Sequence, residues 1–135
     1  MKRENPDVLP DVLIDTSAWV EFFRGTSQTA DLVAELIEAG RAAICGVTYY
    51  ELLQGAKSDD EESRLTHALS ALPYMEITRN VWIRAGNLSA DLRKKGITLP
   101  LSDLVMGAVA LEQNFHVLTL DEHFQSIPGV KQYHK

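Results

Sequence analysis

Short apolar segments alternate with amphipathic segments along this chain, and that alternation restricts its fold more than any other feature. Residues 12–14 and 42–47 are continuously apolar, with no polar side chain at every second position. Strands of this kind are buried on both faces, as in a parallel sheet that helices cover on each side. The sequence therefore predicts an α/β fold, a three-layer α/β/α sandwich with a mainly parallel sheet.

Apolar periodicity and end signals locate the individual elements. Strands are predicted at residues 12–14, 42–47, 74–77, 116–120 and, at an edge of the sheet, 130–133. Helices are predicted at residues 17–24, 29–39, 49–53, 59–71, 80–95, 104–111 and 121–125. Thr48 is the predicted cap of the third helix, and Ser102 or Asp103 is the predicted cap of the sixth.

The length of 135 residues suits one domain with a single hydrophobic core. We expect residues 11–135 to form that domain and the polar residues 1–10 to form an N-terminal tail. Cys45 is the only cysteine, which excludes an intrachain disulfide and Cys-rich zinc modules and fits a reducing cytoplasm. No apolar run approaches the roughly 20 residues that a membrane span needs. The four histidines do not have the spacing of zinc ligands.

The charge balance restricts how the chain can bind nucleic acid. It has 13 Lys and Arg against 19 Asp and Glu, a net charge of −6 at pH 7. This argues against binding by bulk charge alone, so a local basic patch or bound cations would be needed. Arg93, Lys94 and Arg24 are candidate RNA-binding residues, and a solvated helix end is the alternative explanation for the same side chains.

Four acidic residues follow predicted strands closely or open a predicted helix. They are Asp15, Glu51, Asp103 and Asp121. In an open parallel sheet the functional crevice lies beyond the carboxyl ends of the strands, which is where these residues are expected. Taken singly, the three aspartates could be helix caps and Glu51 a solvated helix residue. Together, four carboxylates at one edge would raise one another's pKa values unless cations were present, so the pattern favours a metal site.

The chemistry of such a site points to phosphodiester hydrolysis. Carboxylate oxygens suit hard divalent ions such as Mg²⁺, and Thr16 or Ser17 could add a hydroxyl ligand or orient a water. Two such ions would change the formal charge from −6 to −2 and attract phosphate. Ions held in this way activate water and stabilise the attacking and leaving oxygens of an in-line displacement, which is nuclease chemistry.

Four segments carry these acids in order. They are Val12-Leu13-Ile14-Asp15-Thr16-Ser17, Glu51-Leu52-Leu53-Gln54-Gly55, Leu92-Arg93-Lys94-Lys95-Gly96 with Leu101-Ser102-Asp103, and Leu118-Thr119-Leu120-Asp121-Glu122-His123-Phe124. They resemble the motifs of PIN-domain ribonucleases, specifically the VapC-type toxins of bacterial toxin–antitoxin pairs, over residues 12–133. The chain departs from the family at residues 104–108, where Ile-Ala-Ala is usual, and in the roughly ten residues before the first strand.

The resemblance implies a Mg²⁺- or Mn²⁺-dependent endoribonuclease that cleaves structured RNA such as tRNA or ribosomal RNA. It implies that Asp15, Glu51, Asp103 and Asp121 hold the metals, that Thr16 or Ser17 supports the first acid, and that Thr119 is a further supporting residue. Water is then the nucleophile. It also implies a homodimer that is inhibited by an antitoxin of the VapB type.

Two other kinds of protein compete with this interpretation. A phosphoacceptor signalling domain would have two adjacent acids after the first strand, whereas here Asp15 precedes Thr16 and Ser17. A non-catalytic binding module would be expected to lack one of the four acids, and none is missing. Trp19, Phe22 and Phe23 could stack on RNA bases or receive an antitoxin helix, but their spacing favours a core position for at least two of them.

Overall fold

Four short parallel strands form one sheet in the part of the chain that this computed structural model describes, residues 9–134. The strands are β1 (Val12–Ile14), β2 (Ala42–Cys45), β3 (Tyr74–Met75) and β4 (His116–Leu118), in the spatial order β3-β2-β1-β4. In the register of the central strand, Val12 lies opposite Ala42 on one side and His116 on the other. β1 and β2 are therefore the inner strands.

Six α-helices connect and cover these strands within residues 9–134. They are α1 (Thr16–Arg24), α2 (Gln28–Glu38), α3 (Gly46–Gln54), α4 (Asp59–Ser70), α5 (Arg79–Lys94) and α6 (Leu101–Gln113), and a 3₁₀ turn at Glu122–Ser126 follows β4. No helix in this described part is long and apolar enough to cross a membrane.

The hydrophobic core lies on both faces of the sheet, because successive strand residues point in opposite directions. Leu13 and Val117 pack with residues of α5 and α6 on one face. Val12 and Ile14 pack with residues of α1 and α2 on the other, where Leu52 of α3 and Leu69 of α4 also lie. The predicted three-layer α/β/α sandwich with a parallel sheet is thus confirmed.

The second strand is shorter than predicted and its helix begins earlier. β2 ends at Cys45, α3 starts at Gly46, and Thr48 is a buried residue inside the helix rather than its cap. The position of the N-cap is taken by Cys45, whose backbone is extended. A buried first helical turn is as apolar as a buried strand, so the sequence pattern could not separate the two.

Further boundaries also differ from prediction, and β3 and β4 each end two residues early, at Met75 and Leu118. α6 begins at Leu101 after Pro100, so Asp103 lies in its first turn and neither Ser102 nor Asp103 is its cap. The predicted edge strand at residues 130–133 is a single parallel bridge between Val117 and Gln132. Proline suits the start of a helix because its φ is already helical, which moves the helix start upstream.

The predicted N-terminal tail falls mainly on residues 1–8, which lie outside the described residues. Of the remaining two tail residues, Leu9 is exposed, and the backbone carbonyl of Pro10 accepts a hydrogen bond of 2.9 Å from Nε of Arg41. The division into a tail and a domain stays a prediction.

Candidate metal centre at the carboxyl edge of the sheet

Asp15 occupies the first turn of chain after β1 and is only 5% exposed. It precedes α1 as the N-cap residue, but its side chain makes no cap hydrogen bond. Instead its Oδ2 accepts hydrogen bonds from Oγ1 of Thr119 at 2.8 Å and Oγ of Ser17 at 2.9 Å. Both hydroxyls donate to the same carboxylate oxygen, and they lie 3.4 Å from each other.

Glu51 lies in α3, more than one helical turn past the end of β2, and is half-buried. Its Oε1 accepts a 2.7 Å hydrogen bond from Oγ1 of Thr16, the first residue of α1. Thr16 therefore contacts Glu51. The family resemblance instead implies that Thr16 or Ser17 supports Asp15. Of those two residues, Ser17 is the one that contacts Asp15.

Asp15 and Glu51 both act electrostatically on the thiol of Cys45. Burial is the main factor that raises the pKa of the Cys45 thiol, and both carboxylates raise it further. Because Cys45 is the last residue of β2, this places the two acids near the same strand end.

Asp103 is a buried acid whose surroundings disfavour its ionised form. It lies in the first turn of α6 and is 8% exposed. Burial raises its pKa above the ordinary value, a hydrogen bond with His123 lowers it, and the charges of Asp121 and Asp15 raise it again. Burial is therefore the main cause that disfavours the ionised form of Asp103, and the hydrogen bond with His123 offsets it only in part.

Asp121 follows β4 and combines two roles. Its Oδ1 accepts the backbone N–H of His123 at 2.9 Å, which caps the 3₁₀ turn. Its own backbone N–H donates to Oγ1 of Thr119 at 2.9 Å, which links it to the residue that holds Asp15. The predicted role of Asp121 as a cap thus corresponds to an observed hydrogen bond. That bond uses Oδ1, and no contact described for residues 9–134 uses Oδ2.

His123 is the residue of this site that sequence reasoning missed. Its Nδ1 lies 2.6 Å from Oδ2 of Asp103 and 3.1 Å from Oδ1 of Asp121. The hydrogen bond to Asp103 raises the pKa of His123, and burial opposes this while the charge of Asp121 supports it. The available signal is its position two residues after Asp121, on the same turn, which zinc-ligand spacing does not include.

The site fits a divalent cation. One donor atom from each of Asp103, Asp121 and His123 lies within 4.8 Å of the others. Two of these donors are carboxylate oxygens, and burial raises the pKa of the more buried one, Asp103, although His123 lowers it. Asp15 and Glu51 stand outside this set of three but belong to the same edge of the sheet. Carboxylate oxygens are donors that Mg²⁺ and Mn²⁺ bind.

The three predicted RNA-binding residues lie at the ends of helices. Arg24, at the end of α1, is 3.4 Å from Glu21, and Lys94, at the end of α5, is 4.0 Å from Asp91. Arg93 is exposed beside Lys94. Among the contacts described for residues 9–134, none joins these three side chains to the four acids, so their role in RNA binding stays a prediction.

The aromatic residues of α1 divide between core and surface. Trp19 is buried at 1% exposure, Phe22 packs against the same core, and Phe23 is 42% exposed. All three line an apolar cleft of about 310 Å³ that extends to Ile37 of α2 and Leu72 after α4. Within the described residues, Nε1 of Trp19 is buried without a hydrogen-bond partner. A core position was favoured for at least two of the three: Trp19 is buried, and Phe22 is partly buried against the same core.

Comparison with known proteins gives a consistent result. The family model of the PIN domain matches residues 12–130. Over 124 residues the chain is 32% identical to ribonuclease VapC11 of Mycobacterium tuberculosis, an alignment that covers 88% of this chain and 92% of the relative. A toxin–antitoxin complex from Klebsiella pneumoniae contains a chain that is 26% identical, with a TM-score of 0.72 and coverage of 93% of this chain and 100% of that chain. The fold is also similar to DNA-bound VapBC from Salmonella typhimurium, with a TM-score of 0.78, 20% identity and coverage of 93% and 98%.

Proposed function

Because the chain belongs to the VapC group of the PIN-domain family, we propose that it is a Mg²⁺- or Mn²⁺-dependent endoribonuclease toxin. The observation that carries this proposal is the convergence of Asp103, Asp121 and His123 at the edge of the sheet where Asp15 and Glu51 also lie. The name of the similar ribonuclease supports RNA as the substrate. Structured RNA, and the cytoplasm in which it would be cleaved, are part of the same proposal.

Asp103 and Asp121 hold the divalent ion in this proposal, and Asp15 contributes its charge from the adjacent strand end. The chemistry that such an ion supplies when bound is activation of water and stabilisation of the attacking and leaving oxygens of a phosphodiester. In this proposal Glu51, which accepts a hydrogen bond from Thr16, also accepts the proton that the attacking water loses. Ser17 and Thr119 keep Asp15 oriented without neutralising it, because hydroxyl donors carry no charge.

The proposed partner is an antitoxin of the VapB type. The complex from Klebsiella pneumoniae is named as a toxin–antitoxin complex, which supports a protein inhibitor for this chain as well. The apolar cleft between α1, α2 and α4, with Phe23 at its surface, offers an area that such a partner would cover. A homodimer is also part of the proposal.

Cleavage of total cellular RNA by the purified protein tests the proposed activity. We expect discrete fragments with Mg²⁺ or Mn²⁺, none with EDTA, and a loss of at least 100-fold in rate for Asp103→Asn, because that change removes a charged donor of the metal centre. Asp91→Asn is the matched control, since Asp91 is an exposed aspartate on α5. Metal-independent cleavage, or full activity of Asp103→Asn, would contradict the proposal.

A further inference from the structure

The imidazole of His123 lies close to both carboxylates of the candidate metal centre, Asp103 and Asp121. Nδ1 of His123 is 2.6 Å from Oδ2 of Asp103 and 3.1 Å from Oδ1 of Asp121. In an octahedral site with bonds of about 2.0–2.1 Å, neighbouring donor atoms are separated by about 2.9 Å. The two distances lie on either side of that value, so Nδ1 is spaced from each of the two carboxylate oxygens as neighbouring ligands of one ion are.

The turn that carries His123 fixes the position of its backbone. The backbone N–H of His123 donates to Oδ1 of Asp121 at 2.9 Å. On the other side, Phe124 is completely buried in the core beneath the turn. The imidazole itself is about half-exposed, which leaves it free to adjust by fractions of an ångström. A fixed backbone with an adjustable ring is suited to closing a coordination sphere.

We propose that His123 is a direct nitrogen ligand of the divalent ion held by Asp103 and Asp121, and that it makes this centre favour Mn²⁺ over Mg²⁺. The inference rests on the proposed function for the presence of the ion. Imidazole nitrogen suits transition-metal ions, whereas Mg²⁺ is bound through oxygen and keeps several waters. A site with one nitrogen donor therefore gains affinity for Mn²⁺ that it does not gain for Mg²⁺.

The competing role for His123 is that of a hydrogen-bond donor that only positions Asp103. In that role Nδ1 keeps its proton and never contacts the ion. Loss of the imidazole would then weaken Mn²⁺ and Mg²⁺ binding by similar factors. The two roles therefore differ in the atom bound to the metal and in the selectivity between ions.

Pulsed electron paramagnetic resonance of the full chain with Mn²⁺ as the only added metal distinguishes them. We expect spin-echo modulation from a directly bound ¹⁴N nucleus in the wild-type protein, and the ¹⁵N pattern when its histidines carry that isotope. His123→Ala is expected to lose the modulation and about tenfold or more in Mn²⁺ affinity, with Mg²⁺ affinity changed less than about twofold. His123→Asn, which keeps an oxygen donor, should retain Mg²⁺ and also lack the nitrogen signal.

His67→Ala is the control, because His67 is an exposed histidine near the end of α4. It should keep both the signal and the Mn²⁺ affinity. Bound Mn²⁺ without nitrogen modulation, failure of the wild-type protein to bind Mn²⁺, or equal losses for both ions in His123→Ala would overturn the inference. RNA cleavage measured on the same samples separates the two proposals, since metal-dependent cleavage without a nitrogen signal removes the role of His123 and leaves the nuclease.

Discussion

Asp15 and Glu51 each accept hydrogen bonds from uncharged hydroxyl groups. Ser17 and Thr119 donate to Asp15, and Thr16 donates to Glu51. An Arg or Lys partner would orient a carboxylate equally well, but it would also cancel the charge that attracts a cation. Hydroxyl donors fix the geometry and leave the negative charge in place, which is what a metal centre for phosphodiester cleavage requires.

Thr16→Val tests whether orientation of Glu51 matters for the chemistry. The change keeps the shape of the side chain and removes one hydrogen bond to a charged group, which contributes about 1.5 kcal/mol at the lower end of its range. We expect kcat/KM for RNA cleavage to fall about tenfold. The free energy of unfolding should fall by about 1.5 kcal/mol, because the same hydrogen bond also stabilises the fold. Thr16→Ser, which restores the donor, should recover most of the rate.

Thr66→Val provides the comparison, because Thr66 is an exposed threonine on α4. It should leave the cleavage rate unchanged. Wild-type activity in Thr16→Val, or an equal loss in Thr16→Ser, would mean that the contact between Thr16 and Glu51 does not position the acid.

At the level of elements, sequence patterns predicted the layers of the fold better than the ends of its helices. The apolar runs at residues 12–14 and 42–47 predict two buried strands of a parallel sheet, and β1 and β2 lie within these runs. Residues 46 and 47 were assigned to a strand although they begin α3, because both kinds of buried backbone are apolar. Apolar periodicity indicates which residues are buried. Backbone hydrogen bonding in the folded protein determines whether those residues form a strand or a helix.

The same limit applies to the metal centre. Asp15, Glu51 and Asp121 could be singled out because they follow predicted strands, and Asp103 because it opens a predicted helix. The contact of His123 with Asp103 joins residues 20 positions apart, and it depends on where the 3₁₀ turn meets the first turn of α6. No local pattern contains that information.

The packing of α6 against Ile127, at the end of the 3₁₀ turn, gives a prediction about the stability of the fold. A methyl group at Gly107 would lie 2.8 Å from Cδ1 of the buried Ile127. Gly107→Ala gains about 1 kcal/mol in helix propensity, while overpacking costs about 1–3 kcal/mol. We expect a net loss of about 1 kcal/mol in the free energy of unfolding, measured by urea denaturation.

The combination with Ile127→Val checks the cause, because valine lacks the Cδ1 atom. In that background, Gly107→Ala should become neutral or stabilising by up to about 1 kcal/mol. The same loss in both backgrounds would show that the contact between α6 and Ile127 is not what limits residue 107.

Considered as a whole, the molecule concentrates buried charge at the place where its sheet ends. Within residues 9–134 the buried polar side chains are Asp15, Thr48 and Asp103, and two of these belong to the candidate centre. The chain also has a net charge of −6. Without a cation, ionised Asp103 is expected to lower the free energy of unfolding. The reason is that its charge is more costly in the folded than in the unfolded state.

Asp103→Asn should therefore affect stability in opposite directions with and without metal. Burial raises the pKa of Asp103 in the folded state, so at pH 7 the unfolded state favours its ionised form more strongly and the carboxylate lowers stability. In EDTA at pH 7 we expect Asp103→Asn to unfold at a higher urea concentration than the wild type. This advantage should disappear below the ordinary pKa range of aspartate, where the carboxyl is protonated in both states.

With Mn²⁺ at about 100 times its dissociation constant, binding to the folded state adds about 2.7 kcal/mol to the wild type. Asp103→Asn should gain much less, because it has lost a donor, so the order of the two unfolding curves should reverse. Asp91→Asn should follow the wild type in both conditions, since Asp91 is exposed on α5. If Asp103→Asn were less stable than the wild type in EDTA, the negative charge at this edge would be stabilising by itself. The need for a cation, on which the proposed nuclease chemistry depends, would then lose its physical basis.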